Sequence, residues 1–238
     1  MIFHPIKLPD NFQFQYNRQY KELNIKSTDG TELDGVLIKA DSAKGLVFFL
    51  HGNSGSLASN SCKEAASFFT SLHYDVFMYD YRSFGKSEGN INSLKQLFID
   101  NQIVYNELKK DYSENKIIMV GYSLGTGFAS NLASANHPKL LILLAPYYSL
   151  RDMMIHNYKI FPTFLLKYNI ATNDYVQNCL MPIIDFHGTN DKTVYYESSL
   201  KLKNLFRQKD TLITLDGQGH NDIIENQECQ KFISNLLR

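Results

Sequence analysis

Apolar residues along this chain gather in short blocks rather than in one repeating stripe. Six blocks, at 46–50, 75–79, 116–121, 140–145, 182–187 and 211–215, are mostly apolar without clean alternation. Strands buried on both faces carry that signature, as in a parallel sheet covered by helices. Two further strands, 23–27 and 34–39, flank Asp29-Gly30, a dipeptide suited to the positive φ angles of a tight turn, and predict an antiparallel hairpin.

Helical spacing fills the intervals. Leu94, Leu97, Phe98, Val104, Tyr105 and Leu108 fall on one face, with Lys95, Asp100, Lys109 and Lys110 largely elsewhere. Further helices are expected over 62–72, 124–135, 196–206 and 222–237. Strand and helix alternating this often predict a doubly wound α/β fold: a mostly parallel eight-stranded sheet with helices on both faces and right-handed crossovers. Only 147–180 breaks the rhythm, being long and aromatic, and is expected to be an inserted lid. No repeat or Pro/Gly/Ser linker divides the 238 residues, so a single domain is expected.

Composition removes several alternatives. At 44% apolar and 20% charged the chain has ample material for a core. Twenty-four basic residues balance 24 acidic ones, leaving no footprint for a nucleic-acid partner. The longest apolar runs fall far short of the roughly 20 residues of a membrane span. The first residues do not read as a secretory signal. Three cysteines, Cys62, Cys179 and Cys229, suit neither zinc nor a disulfide framework, so a cytoplasmic location is expected.

The chemistry centres on Gly121-Tyr122-Ser123-Leu124-Gly125, placed where an apolar strand ends and a small-residue helix begins. In a strand-to-helix turn of this G-x-S-x-G form the serine takes a strained backbone that lifts its hydroxyl clear, and the flanking glycines leave room. A hydroxyl is a weak nucleophile, so an imidazole must take its proton and a carboxylate must orient that imidazole. With chain order serine, acid, histidine, the base is His220, in the Gly-containing loop after the last strand. The acid is Asp191, after the strand at 182–187; Asp185, inside that strand, would point into a helix-covered face and needs a partner of its own. His51, His73 and His187 read as structural, and Asp222 as a cap on the last helix. Oxyanion donors are expected from the backbone N–H of Leu124 and of Asn53, the latter in His51-Gly52-Asn53-Ser54-Gly55.

These pieces, with Thr28-Asp29-Gly30, the run 79–89 (Tyr-Asp-Tyr-Arg-Ser-Phe-Gly-Lys-Ser-Glu-Gly), His187-Gly188-Thr189-Asn190-Asp191 and Gly219-His220-Asn221-Asp222, stand in the order seen in α/β hydrolases. Within that superfamily the chain resembles the small-lid Bem-type serine hydrolases. The resemblance implies the α/β-hydrolase fold, Ser123 as nucleophile, Asp191 as acid, His220 as base, and Asn53 with Leu124 at the oxyanion hole. Three departures stand out. Ser83 occupies a position where such proteins commonly carry glycine, Asp185 replaces an apolar strand residue, and the N-terminal cysteine cluster of acyl-protein thioesterases is absent.

No cofactor or metal is expected. Gly85-Lys86-Ser87 lacks the earlier glycine of a phosphate-binding loop, Gly125-Thr126-Gly127 lacks the third glycine of a dinucleotide site, and neither H-E-x-x-H nor C-x-x-C occurs. Tyr122, Tyr147, Tyr148, Phe161 and Phe164 are expected to contact substrate, favouring an apolar acyl group. The expected activity is hydrolysis of carboxylic esters or thioesters of small to medium apolar acyl groups through an acyl-enzyme. The alternatives are a catalytically silent scaffold that binds a ligand or partner, and an acyltransferase or peptidase using the same triad.

Overall fold

The computed structural model describes residues 2–158 and 166–238. Eight strands form one sheet: β1 (Tyr20–Lys26), β2 (Glu32–Ile38), β3 (Gly45–Leu50), β4 (Tyr74–Tyr79), β5 (Ile117–Tyr122), β6 (Leu140–Leu144), β7 (Ile183–Gly188) and β8 (Thr211–Leu215). Their spatial order is β1-β2-β4-β3-β5-β6-β7-β8. Only the pairings made by β2 are antiparallel. From β4 to β8 every neighbouring pair is parallel. Every residue of β3, β4, β6 and β7 is buried, as continuous apolar runs require of strands covered on both faces.

Strand alternation splits the core in two. Leu46, Phe48, Leu50, Phe77 and Tyr79 face α2 (Leu94–Leu108) and α3 (Leu124–Ser134), whereas Val47, Phe49, Val76 and Met78 face α1 (Asn60–Ser71) and α7 (Gln227–Leu236). Between β6 and β7 lie α4 (Leu150–Asn157) and α5 (Thr172–Val176), and α5 packs on α3. The helix α6 (Glu197–Lys203) precedes β8. A two-residue parallel ladder joins His4–Pro5 to Ser54–Gly55 and lays the N-terminal segment beside the loop after β3. Among the described residues no helix is long and apolar enough to cross a membrane.

Three local expectations need correction. The hairpin ladder starts at Tyr20, three residues before the apolar run, because this edge strand keeps half-exposed polar positions that carry no strand signal. At its turn only Gly30 has positive φ, +84°. Asp29 instead accepts from the Thr31 N–H at 3.1 Å and pairs with Arg82. Asp222 does not cap the last helix. It takes a left-handed conformation ahead of a 3-10 turn, and Asn226 caps α7 by accepting from the N–H groups of Glu228 and Cys229.

Candidate active site

Parallel strands deliver their following loops to one edge of the sheet, and four of those loops meet here. Ser123 follows β5 with φ 51° and ψ −117°, a backbone strained for any side chain, and its N–H is held by the Leu144 carbonyl at 2.9 Å. Glycines on either side are sterically required. A Cβ on Gly125 would lie 2.0 Å from the Leu50 carbonyl oxygen, and one on Gly121 would lie 2.6 Å from that of Gly125. The sharp bend therefore needs both small residues, and it turns the serine hydroxyl toward the loop after β8.

There His220 Nε2 lies 3.0 Å from Ser123 Oγ, and its Nδ1 lies 2.7 Å from Asp191 Oδ2. The carboxylate is an acceptor only, so Nδ1 carries the proton and Nε2 faces the hydroxyl with its lone pair. Asp191 is itself fixed. Its Oδ1 accepts from the N–H groups of Thr193 and Val194, both at 2.8 Å. Burial opposes its ionisation, but hydrogen bonds from His187 and His220, the charge of His220 and the Val194 N–H hold its pKa well below the usual carboxylate range. It is a stable anion in the right place to orient an imidazole.

Asn53 and Leu124 both border the space at Ser123. Neither backbone N–H donates a hydrogen bond to another described residue, which leaves both available to an incoming oxyanion. The Asn53 side chain is engaged elsewhere, donating to the Ile2 carbonyl at 3.0 Å. His51, buried at the start of the same loop, has its pKa pushed down to about 4 by burial, and its neutral ring donates from Nδ1 to the Gly52 carbonyl at 2.8 Å.

The expected substrate contacts divide. Tyr147 borders an apolar cavity of about 260 Å³ beside Ser123 and donates to the Leu124 carbonyl at 3.3 Å. Tyr122 borders a second cleft of about 530 Å³, but its hydroxyl donates to the His220 carbonyl at 3.1 Å and its ring stacks on the imidazole, so it also holds His220 in place. Tyr148 is not brought to the site: it borders neither cavity, and the Lys201 ammonium lies 5.8 Å from its ring. Its neighbour Tyr147 takes the inward direction instead. Phe161 and Phe164 lie outside the described residues.

Several contributors were not visible in the sequence. Ile2 comes from the N-terminal segment, Met153 and Met154 come from α4, and all three line the apolar cavity. The paired methionines after an N-capping Ser149 were the available signal. Asp185 is buried as expected, and neither carboxyl oxygen has a hydrogen-bond partner.

A parallel sheet of this order with a strained serine after its fifth strand defines an α/β hydrolase. The chain belongs to the serine aminopeptidase S33 family, which matches residues 41–172. An uncharacterized protein, R595, of Acanthamoeba polyphaga mimivirus is 30% identical, over 84% of this chain and 75% of its own length. A lysophosphatidylserine lipase, ABHD12, of Danio rerio is 27% identical over 83% of this chain, which spans only 59% of that protein. In structure the chain is similar to the Pyrococcus furiosus esterase Pf2001, with a TM-score of 0.78 at 20% identity, covering 99% of this chain and 97% of that one. It is also similar to Est1E of Butyrivibrio proteoclasticus, with a TM-score of 0.73 at 19% identity, covering 90% and 98%.

Proposed function

We propose that this hydrolase cleaves carboxylic esters or thioesters of small to medium apolar acyl groups, with Ser123 as nucleophile, His220 as general base and acid, and Asp191 as the acid that orients it. The observation that carries the reading is the unbroken line from Ser123 Oγ through the His220 ring to Asp191 Oδ2, at 3.0 and 2.7 Å. His220 takes the Ser123 proton as Oγ attacks the acyl carbon. The oxyanion is held by the N–H groups of Leu124 and Asn53, each donor contributing about 10²- to 10³-fold. His220 then protonates the leaving alcohol or thiol, and a water activated by the same nitrogen releases the acid from the acyl-enzyme.

Stereochemistry assigns the two cavities. The leaving group must meet the His220 proton, so it occupies the larger cleft that His220 borders, among the polar side chains of Ser54, Ser59, Asn60, Ser61 and Asn221. The acyl group occupies the cavity that His220 does not border, against Leu124, Tyr147, Leu150, Met153 and Met154. At about 260 Å³ that cavity is below the roughly 300–1,000 Å³ of a drug-sized pocket, which favours short to medium chains. The described residues 147–158 of the insertion line one side of it and serve as its lid.

A fluorophosphonate probe is expected to label the protein and to spare Ser123→Ala; equal labelling of both removes Ser123 from the reaction. With p-nitrophenyl esters of increasing acyl length, kcat/KM is expected to peak at short to medium chains, and a preference for long chains overturns the assignment of the apolar cavity.

A further inference from the structure

Behind the proposed triad acid lies a second buried imidazole that the reaction above does not use. His187, at the end of β7, is fully buried. Its Nε2 lies 2.9 Å from the Val194 carbonyl oxygen and 3.3 Å from Asp191 Oδ2, the same carboxylate oxygen that His220 holds. Both neighbours are acceptors, so Nε2 carries a proton. Its Nδ1 lies 2.6 Å from the Ser199 hydroxyl of α6. Asp185 sits two residues earlier in β7 with both oxygens buried.

The surroundings isolate this group. In register with Asp185 are Leu143 of β6 and Leu212 of β8, and opposite His187 on β8 is Thr214. From the start of α6, Tyr196 presents its ring edge-on 5.8 Å from the imidazole, its hydroxyl bonded to Thr214. The titratable groups facing His187 are therefore Asp185, Asp191 and Tyr196, with His220 beyond Asp191. A buried carboxyl does not ionise alone: it stays protonated or takes a counter-charge, and among the groups facing it His187 is the one that can supply a cation.

We propose that His187 is a positioning residue for the triad acid, and that Asp185 and Ser199 keep it protonated, so that an imidazolium sits on Asp191 opposite His220 and sets the pH at which the enzyme becomes active. Protonated at both ring nitrogens, His187 donates from Nδ1 to the Ser199 hydroxyl and from Nε2 to Asp191, and an ionised Asp185 two residues earlier on the same strand face balances its charge. Burial works against the charge on His187, but the hydrogen bond to Asp191, the Asp185 charge and the Val194 carbonyl outweigh it and raise its pKa. Burial pushes the pKa of Asp185 up to about 7, with His187 and Ser199 working in the other direction.

The sign of the effect follows from charge. A cation on Asp191 draws part of its negative potential away from His220, so His220 holds its own proton less tightly and acts as a base at lower pH. Without that cation the acid limb of activity moves up.

This inference rests on the catalytic reading above, and its test separates the two. The acid limb of the kcat/KM profile is expected to move to higher pH by on the order of half to one unit in Asp185→Asn, with a smaller shift in the same direction in Ser199→Ala. KM is expected to stay unchanged, because neither side chain borders the cavities at Ser123. Profiles that superimpose on the wild type in shape, whatever their height, overturn the proposal. Wild-type protein labelled with nitrogen-15 in histidine supplies a readout that needs neither a folded variant nor activity. His187 is expected to remain an imidazolium at pH 7, with both ring nitrogens protonated. A single protonated nitrogen on His187 at pH 7 overturns the proposal even if Ser123→Ala confirms the triad. Full turnover by Ser123→Ala overturns the triad and leaves the nitrogen signal to decide whether His187 is charged.

Discussion

Two clusters of buried charge lie in this molecule, one saturated with partners and one not. Around Arg82, every guanidinium N–H is occupied. Nε and Nη2 fork onto Asp100 at 2.5 and 2.9 Å, Nη1 and Nη2 reach Asp29 at 2.7 and 3.0 Å, and Thr31 and Ser27 accept at 2.8 and 3.0 Å. The cluster ties the β1–β2 turn, the loop after β4 and α2 together with a permanent cation. Around His187, by contrast, both oxygens of Asp185 have no partner, and the cation is an imidazole that can lose its proton. Saturated pairing with a group that cannot titrate fixes geometry. Incomplete pairing with groups that can titrate leaves a proton free to move, and this cluster adjoins the Asp191 carboxylate that His220 contacts.

The largest effect expected from this contrast is kinetic. Asp191→Asn keeps the shape but replaces an acceptor with an amide that can donate to His220 Nδ1, which drives the proton to Nε2 and blocks it as a base. A loss of about 10⁴-fold in kcat on p-nitrophenyl acetate is expected. A loss below tenfold, with the fold intact by circular dichroism, removes Asp191 from the orienting role.

The saturated cluster should fail in the opposite way. Arg82→Met leaves Asp100 buried, 1% exposed, without its counter-charge, and breaking a buried pair from one side costs about 3–5 kcal/mol. Urea unfolding is expected to show that loss, while kcat/KM per folded molecule stays near wild type. A loss under about 1 kcal/mol, or inactivity of fully folded protein, breaks the comparison.

Much of this contrast was legible before any coordinates, and the remainder shows what kind of information a chain hides. Apolar blocks placed six strands to within one residue at most ends, because burial on both faces leaves no choice of side chain. Edge strand β1 was read three residues short, since an exposed edge tolerates polar residues such as Lys21 and Glu22. Ser123, Asp191 and His220 could be selected because strand-end loops and chain order restrict them. The partners of Asp191 could not: the N–H groups of Thr193 and Val194 are backbone, and His187 read as an ordinary structural histidine because its contact with Asp191 depends on how the loop after β7 turns back. Asp185 was visible only as an anomaly. Ile2 and Met153 enter the apolar cavity through packing of distant segments, which no spacing rule encodes.

Acid stability should sharpen the comparison further. The folded-state pKa of Asp191 is depressed, so its contribution is present above the ordinary carboxylate range and is lost as pH falls through the folded value. The unfolding free energy from urea titration is expected to fall between about pH 4 and pH 2 by on the order of 2 kcal/mol more in wild type than in Asp191→Asn, which has no carboxylate to protonate. Parallel curves for the two proteins would mean that the donors around Asp191 do not favour its anion over the unfolded state.

The smallest effect is expected beside Arg82 itself. Ser83 adopts φ +70°, a left-handed conformation that costs a side chain about 1–2 kcal/mol and glycine little, which accounts for the glycine common at this position in the proteins it resembles. Two terms offset the gain from Ser83→Gly: the hydroxyl donates to the Gly89 carbonyl at 3.2 Å, and glycine adds freedom to the unfolded chain. The balance predicts a stabilisation of less than about 1 kcal/mol with activity unchanged, read from urea midpoints and kcat/KM. The sign is informative because the backbone at 83 sets the direction from which Arg82 enters its cluster. If the cluster is saturated, relieving strain next to it should leave all its bonds in place. A destabilisation above about 1 kcal/mol would mean that Ser83 restrains Arg82, and that the saturated cluster depends on a strained backbone, as the placement of Ser123 does.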